Sequence, residues 1–444
     1  MKLYDTLSSL VTSIDDCLWG WPMIVLLLGT HLYLTFRLGF PQRHLLRAIR
    51  LSVSKDEGAR GDVSQFGALA TSLAATIGTG NIVGVATAVA LGGPGAVLWC
   101  WLTGVFGIST KYAEALLSVK YRESTGDGRT VGGPMYVLRN ALHCRWGGVL
   151  FALFAAVASM GIGNMVQSNA ISMLCGENYG VAPWLCGLVM VGAVALVILF
   201  GVKGIARVCS AFVPLMALLY VVGCVYILCL NHGQLLPAVR LIVVSAFSPR
   251  AVGGGFVGVS VMQTARYGIA RGLFSNESGM GSAPIVAAAA QTRNPVRQAL
   301  VSSSATFWDT VVICALTGLV LVTSVLAYGD ISYGDGAVLT KMAFDKIPFL
   351  GKPLLTFGIL TFAFSTMLGW SYYGERAAEY LGGRRLILPY RLVFILLVFV
   401  GATVRLSLVW DLADSMNALM AIPNLVSLLL LAGVVAKESR EASL

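Results

Sequence analysis

The chain has 444 residues, of which 57% are hydrophobic and only 12% are charged, and its mean hydropathy is +0.79. A soluble domain carries about 25% charged residues, so this composition excludes an ordinary soluble protein and indicates an integral membrane protein. The formal net charge of +10 does not indicate a nucleic-acid partner, because the basic residues lie in short loops between long apolar runs.

Eleven stretches are long and apolar enough to predict membrane-spanning helices, since a bilayer core about 30 Å thick needs about 20 apolar residues. They lie near 19–36, 66–91, 95–118, 148–174, 182–201, 206–230, 252–291, 299–327, 351–373, 387–409 and 415–436. The first lacks the basic segment and small-residue cleavage site of a signal peptide, so we expect it to stay as a helix. The seventh is too long and glycine-rich for one plain span, and we interpret it as a broken helix with an interfacial lead-in around 237–250.

The basic residues predict the orientation of these helices, because cytoplasmic loops carry an excess of Lys and Arg. With the N-terminus outside, 21 basic residues fall in the cytoplasmic segments and only six fall on the opposite side. The cytoplasmic segments are then 37–62, 119–147, 202–207, 292–298, 374–391 and 437–444. We therefore expect a multi-pass protein of the plasma (inner) membrane with its C-terminus in the cytoplasm.

Two stretches, 71–84 and 271–284, combine Gly with Thr, Ser and Asn inside apolar surroundings. Unwound backbone at membrane depth is tolerated only where it is buried or lines a cavity, so each stretch predicts a discontinuous helix. Glycines that serve only the packing of one helix on another are the alternative.

The two interruptions occupy matching positions if the first helix is set aside as an extra one. Ten spans then remain as two sets of five, and each set begins with an interrupted helix. Five is an odd number, so the halves would have opposite orientations and form an inverted repeat, which is typical of transporters. The predicted divisions are 1–62 for the extra helix and a basic loop, 63–231 and 232–436 for the two repeats, and 437–444 for a cytoplasmic tail.

A helix interrupted in this way has the chemistry to bind an amino acid. The N-terminal end of a half-helix carries about half a positive charge and free N–H groups, which suit a carboxylate. The C-terminal end presents free carbonyls, which suit an ammonium group or Na⁺. Thr79, Asn81 and Asn276 add neutral hydrogen-bonding groups.

Four segments resemble the alanine or glycine:cation symporter family, in order and across nearly the whole chain. They read GTGNIVGVATA at 78–88 with LGGPGA at 91–96, GIGNMVQSN at 161–169, RGLFSNE at 271–277 with GMGSAP at 279–284, and STMLGW at 365–370 with YYGE at 372–375. The resemblance implies a leucine-transporter-type fold and cotransport of alanine or glycine with Na⁺ or, less often, H⁺.

The resemblance also implies which residues bind the substrates. For the amino acid they are Thr76, Gly78, Thr79, Gly80, Asn81, Gln167, Phe274, Asn276, Met367 and Trp370. For sodium they are the carbonyls of Ala74 and Ile77 and the hydroxyls of Ser365 and Thr366, and such hard oxygen ligands suit an alkali cation.

Several of these residues have a second interpretation from the sequence alone. The Gln167 amide could instead bond between helices, and Trp370 could be an interfacial anchor rather than a pocket wall. The hydroxyls of Ser365 and Thr366 could bond only to carbonyls of their own helix.

Charged residues inside spans are candidates for function because they are expensive to bury in a bilayer. We expect Glu277 to pair with Arg271 as an ion pair or gate, and Asp309 to pair near the cytoplasmic side. Lys111 and Glu114 are expected near a helix end, from which long side chains can reach water.

The sequence therefore predicts a secondary symporter for small neutral amino acids, alanine and glycine, working by alternating access. It contains no HExxH, P-loop or GxSxG motif, so we expect neither an enzyme nor a nucleotide partner, and we expect a monomer in the lipid bilayer. A transporter of another small zwitterion and, less favoured, an ion channel are the alternatives.

Overall fold

The computed structural model describes residues 11–15, 17–54, 56, 58–248, 261–334, 336–404 and 407–442. Residues 1–10 and 443–444 of the predicted end segments lie outside the described residues. So do 249–260, which belong to the interfacial lead-in and the seventh predicted stretch, and 405–406 of the tenth.

The described chain is almost entirely helical, as predicted. The helices of the first part are α1 (Trp21–Arg37), α2 (Leu45–Ser52), α3 (Gln65–Thr76), α4 (Val85–Gly92), α5 (Ala96–Lys120), α6 (Pro134–Asn140), α7 (Arg145–Met160), α8 (Val166–Tyr179), α9 (Pro183–Ile198) and α10 (Gly201–Leu230). Those of the second part are α11 (Leu235–Phe247), α12 (Val261–Asn276), α13 (Pro284–Ala287), α14 (Pro295–Thr306), α15 (Ala315–Ala327), α16 (Gly336–Phe344), α17 (Gly351–Gly382), α18 (Ile387–Thr403) and α19 (Ser407–Glu441).

Shorter π-helical and 3-10 elements lie between these helices. Three wider π-helical segments are Gly80–Gly84, Gly161–Met165 and Phe307–Cys314, and three 3-10 turns are Pro41–His44, His232–Gln234 and Arg384–Leu386. One small antiparallel hairpin pairs β1 (Glu123–Ser124) with β2 (Thr130–Val131).

The helices have the length and composition of membrane spans. Within the described residues, six helices are long and apolar enough to cross a bilayer, and two bent pairs of helices bring the number to eight. This confirms an all-α, multi-span membrane protein. The predicted count of eleven, the inverted repeat, the domain divisions and the orientation stay predictions.

Both predicted helix interruptions are confirmed. The segment Gln65–Thr76 is bent by 51° from Gly80–Gly92. The helix α12 ends at Asn276, and no regular helix resumes until Pro284.

The two interrupted helices lie at the centre of the helix packing. Helix α3 packs against α10 and α17, while α12 packs against α5. The close approach of α12 to α5 depends on Gly268 and Gly272, because added Cβ atoms would lie 2.4 Å from the Ala96 carbonyl oxygen and 2.2 Å from the Thr103 hydroxyl. Small residues four apart are the usual means by which helices approach closely in membranes.

Gly281 tests how tightly the second interruption is packed. Its φ is +86°, and an added Cβ would lie 2.7 Å from side-chain atoms of both Phe151 and Pro134. We expect Gly281→Ala to cost about 1–2 kcal/mol for the left-handed backbone and about 1–3 kcal/mol more for overpacking. The measurement is the apparent melting temperature of the purified protein in detergent.

Gly180→Ala is the matched control for this variant. Gly180 is also left-handed, with φ +66°, but an added Cβ would meet no atom within 4 Å. Equal decreases in melting temperature for the two variants would contradict tight packing at Gly281.

Candidate functional site

The first interruption leaves carbonyls at the end of α3 without helical partners. Ile77 turns to extended backbone with φ −75° and ψ 92°, and the chain becomes helical again only at Gly80. The Asn81 side chain holds this turn, since its Oδ1 accepts a hydrogen bond of 2.8 Å from the Gly78 N–H. The last carbonyls of a helix are left free for other partners when the helix stops in this way.

Two hydroxyls of α17 meet these carbonyls. The Thr366 hydroxyl lies 3.2 Å from the Ala74 carbonyl oxygen and 3.5 Å from that of Ile77, and the Ser365 hydroxyl lies 3.4 Å from the Ala74 oxygen. These separations exceed the roughly 2.7 Å of a typical hydroxyl hydrogen bond. The Ser365 hydroxyl also donates to the Phe362 carbonyl of its own helix at 2.9 Å, so it serves that second interpretation as well. The four residues predicted from the family for sodium lie together as a cluster of neutral oxygens, which is the kind of ligand set that suits an alkali cation.

The second interruption begins with a left-handed residue. Glu277 has φ +53°, and the Asn276 Oδ1 accepts a hydrogen bond of 2.9 Å from the Ser278 N–H just beyond it. Asn276 therefore forms an Asx turn that holds the backbone just beyond α12, and its Nδ2 lies 3.4 Å from the Thr103 hydroxyl of α5.

The rest of this segment is held by buried polar side chains. The Glu114 Oε1 accepts from the Gly281 N–H at 3.0 Å and from the Asn424 Nδ2 at 2.7 Å, and the same amide donates to the Gly279 carbonyl at 2.8 Å. The prediction that Lys111 and Glu114 reach water from a helix end is wrong, because their exposed fractions are 1% and 2%. Glu114 is occupied in satisfying unwound backbone.

A buried carboxylate joins the two interruptions. Asp309 accepts a hydrogen bond of 2.6 Å from the Asn81 Nδ2 at the first interruption and one of 3.0 Å from the Ser275 hydroxyl at the second. The neighbouring Thr310 hydroxyl donates a further bond of 2.6 Å. The prediction that Asp309 pairs near the cytoplasmic side is wrong, because this carboxylate is fully buried between the interrupted helices.

A small cavity lies where the two interruptions meet. Its volume is about 20 Å³, and about 10–15 Å³ on this measure is the least that holds one water molecule. Seven of the ten predicted substrate-binding residues line it, namely Thr76, Gly78, Thr79, Gly80, Gln167, Phe274 and Trp370. An amino acid can enter only when these side chains move apart.

Three predicted substrate-binding residues are not among those lining the cavity. Asn81 and Asn276 are turned into the backbone of their own interruptions, as described above, and Met367 is fully buried in α17. A polar residue in an interrupted helix can thus hold the interruption rather than face the ligand.

Gln167 lines the cavity and also bonds to other groups of the protein. Its Nε2 donates to the Ile162 carbonyl of its own helix at 3.1 Å, across the π-helical segment before it. Its Oε1 lies in the cavity and accepts from the Thr79 hydroxyl at 3.3 Å. The amide therefore connects α8 to the first interruption through a single hydrogen bond.

Trp370 is a wall of the cavity, not an interfacial anchor, since only 2% of its surface is exposed. Its indole N–H donates to the Glu277 Oε1 at 3.1 Å, and the Ser282 hydroxyl donates to Oε2 at 2.5 Å. The prediction that Glu277 pairs with Arg271 is wrong, because the Glu277 carboxylate turns to these neutral donors instead.

Arg271 lines a separate pocket of about 150 Å³, together with Asp414 and Phe274. Phe274 lines both this pocket and the central cavity. Phe274 is therefore a residue that the two spaces share.

Asn417 of α19 is a cavity residue that sequence reasoning missed. Its side chain is 99% buried, and its Oδ1 has no hydrogen-bond partner among the described residues. An amide inside the apolar stretch 415–436 was the available signal, since such groups in membrane helices are rarely without a role. Ala75, Ile162 and Ser275 also line the cavity without having been predicted.

Known proteins are similar to this chain in sequence and in fold. A model described as the sodium:alanine symporter family matches residues 4–442. The chain is 49% identical over 440 residues to sodium/alanine symporter AgcS of Methanococcus maripaludis. The match covers 97% of this chain and 96% of that protein. It is 35% identical over 433 residues to the probable sodium/glutamine symporter GlnT of Bacillus subtilis, covering 97% and 89%.

Among solved structures, the fold is similar to that of MhsT, crystallised in complex with L-phenylalanine. The TM-score is 0.56 over 87% of this chain and 100% of that one, at 15% sequence identity, so this likeness shows the fold alone. MhsT has the leucine-transporter-type fold, which explains the two interrupted helices side by side. With nearly its whole length matched by one family of transporters, this chain belongs to the sodium:alanine symporter family.

Proposed function

We propose that the protein carries small neutral amino acids, with alanine and glycine foremost, into the cell together with Na⁺. The observation that carries this proposal is the position of Thr366. Its hydroxyl belongs to the oxygen cluster with Ala74 and Ile77, and the same residue lines the central cavity. One side chain therefore contacts both the proposed cation site and the proposed substrate site.

The shared residue suggests how the two ligands are coupled. Na⁺ at the oxygen cluster would hold the end of α3 against α17, which fixes the adjacent Gly78 to Gly80 backbone for the substrate. Ligands that stabilise the same arrangement raise each other's affinity by an equal factor. Phe274, which lines both the cavity and the pocket of Arg271, would open and close the path to the substrate.

The walls of the cavity support a small substrate. Phe274, Trp370 and Gln167 surround it with two aromatic rings and one amide, and its volume is about 20 Å³ in this conformation. A substrate whose carboxylate binds the backbone from Gly78 to Gly80 would break the hydrogen bond between the Thr79 hydroxyl and the Gln167 amide. Both side chains would then be free to bond to the substrate. We propose that Thr76 also contacts the substrate, while Asn81, Asn276 and Met367 act from behind the cavity wall.

Uptake by proteoliposomes tests the proposal directly. Labelled alanine, glycine, serine and glutamine are offered with an inward Na⁺ gradient, with equal Na⁺ on both sides, and with K⁺ replacing Na⁺ throughout. We expect concentrative uptake of alanine and glycine only with the Na⁺ gradient, and alanine binding at least about fivefold weaker without Na⁺.

A proton gradient imposed in the absence of Na⁺ provides the comparison. Concentrative uptake under that gradient alone would show H⁺ coupling and contradict sodium as the driving ion. Alanine affinity that is the same in Na⁺ and K⁺ would contradict coupling at the cluster around Thr366.

Thr366→Ala tests the cation site. We expect the Na⁺ concentration for half-maximal uptake to rise about tenfold, because a hydroxyl that contacts a charged group contributes about 1.5–3 kcal/mol. Ser371→Ala is the matched control on the same helix, since the buried Ser371 hydroxyl donates to the Leu368 carbonyl of its own helix at 2.7 Å. An equal rise in both variants would point to damage to α17 rather than loss of a ligand.

Gln167→Ala tests the substrate site. We expect the KM for alanine to rise about tenfold, since a hydrogen-bond partner of the ligand is lost, and larger neutral amino acids to gain entry into the space that is left. The Na⁺ dependence should change little at saturating alanine.

Asn169→Ala removes an amide from the same helix outside the cavity. The Asn169 Nδ2 donates to the Gly401 carbonyl at 3.0 Å, so this variant should keep the wild-type KM. A wild-type KM in Gln167→Ala would remove Gln167 from the site.

A further inference from the structure

A further pocket, distinct from the central cavity and from the pocket of Arg271, lies at the C-terminal end of α1. Here the chain bends by 68° between Trp21–Arg37 and Pro41–Ser52. The pocket, of about 310 Å³, is formed between this bend and the end of α19. Its lining residues include Arg37 and His44 from the bend and Arg440 from α19.

The lining carries positive charge without a matching acid. Arg37 and Arg440 supply this charge, and no Asp or Glu is among the described lining residues of the pocket. Two acidic side chains near the end of α19 lie beside lysines outside the lining, with Glu438 bonded to Lys120 at 2.5 Å and Glu441 lying 3.8 Å from Lys437. The positive charge of the pocket is therefore available to an anion.

The polar groups on the buried side of the pocket are already satisfied within the protein. The Tyr112 and Ser439 hydroxyls lie 2.8 Å apart, and the Ser439 hydroxyl also bonds to the Val435 carbonyl at 2.8 Å. The Arg440 Nε donates to the Ala436 carbonyl of its own helix at 3.2 Å. An anion would therefore be bound by the remaining guanidinium donors of Arg37 and Arg440 beside His44, and planar guanidinium groups match the geometry of a phosphate.

The short helix α2 indicates the depth at which this mouth lies. Ala48 and Ser52 form its buried face, which packs against α14. A second face is apolar yet exposed, with Leu46 at 83% and Val53, just past its end, at 74%. A basic helix with an exposed apolar face lies in the membrane interface, with that face toward the acyl chains.

The basic residues of this segment occupy a third face. Arg43, Arg47 and Arg50 recur at a spacing of four and three residues and are all exposed. If Leu46 points into the acyl region, these arginine side chains lie at the level of the lipid head groups. The pocket beside Arg37 and Arg440 then opens at the same level as the phosphates of the bilayer.

From this geometry we propose that the bend between α1 and α2, with the end of α19, binds the phosphate of an anionic phospholipid. Arg37 and Arg440 contact the phosphate, His44 lies at its side, and the acyl chains run past Leu46. Basic pockets between membrane helices are known to recognise anionic head groups in this manner. The proposal does not depend on the transported substrate.

Native mass spectrometry of the full chain tests this proposal. The protein is purified from nanodiscs of phosphatidylglycerol or of phosphatidylcholine, and the lipids retained on each molecule are counted. We expect phosphatidylglycerol to be retained on the wild type, and its affinity to fall at least about tenfold in the double variant Arg37→Ala/Arg440→Ala. The double variant Arg37→Lys/Arg440→Lys keeps the positive charge but loses the planar guanidinium donors, so its affinity should lie between those of the wild type and the alanine variant.

Arg145→Ala/Arg207→Ala is the matched control, because it also removes two exposed arginines, but outside the pocket. This variant should retain phosphatidylglycerol like the wild type. Equal retention of both lipids by the wild type, or unchanged retention in Arg37→Ala/Arg440→Ala, would overturn the proposal. Displacement of the lipid by millimolar inorganic phosphate would also overturn it, since the pocket would then be a site for a soluble anion.

Discussion

The structure depends on satisfying backbone groups where two helices unwind at membrane depth. Each unpaired N–H or C=O in a bilayer costs several kcal/mol, so the unwound turns persist only with partners built from side chains. Asn81 supplies one at Gly78, and Glu114 supplies another at Gly281. Some polar side chains that the sequence suggests as ligand-binding groups therefore form hydrogen bonds to the unwound backbone instead. Only polar groups that do not bond to the unwound backbone remain available to a ligand.

Asp309 shows how the two interruptions are made into one unit. Its carboxylate accepts one hydrogen bond from Asn81 at the first interruption and one from Ser275 at the second. The hydrogen bonds of a single side chain therefore fix the position of one interruption relative to the other. The π-helical segment Phe307–Cys314 carries Asp309, and such widened turns commonly occur at functional sites. A displacement of either interrupted helix must stretch bonds to the same carboxylate. Rocking of α3 and α12 against α17 as a pair is thus physically simpler than independent movement.

Composition and the placement of Gly, Thr, Ser and Asn were sufficient to predict a helical membrane protein with two interrupted helices. The contacts of Ser365 and Thr366 with the end of α3 were predictable only through the family resemblance, because the Ala74 carbonyl lies 291 and 292 positions away from them. The bonds of Glu277 to Trp370 and of Asp309 to Asn81 were not, because these partners lie 93 and 228 positions away. Hydropathy and spacing report which side chains share a helix face, whereas these contacts depend on how distant helices pack.

Trp370 and Thr366 lie one turn apart on α17 and connect the site to both interruptions. Thr366 faces the carbonyls of Ala74 and Ile77, while the Trp370 indole bonds to Glu277. A cation that pulls the end of α3 onto α17 would therefore act on the helix that also holds the second interruption. If Na⁺ binds at this cluster, the energy of binding would reach the central cavity through neighbours one helical turn apart. The proposed coupling would then need no long pathway, because both ligands would contact the same helix at different residues.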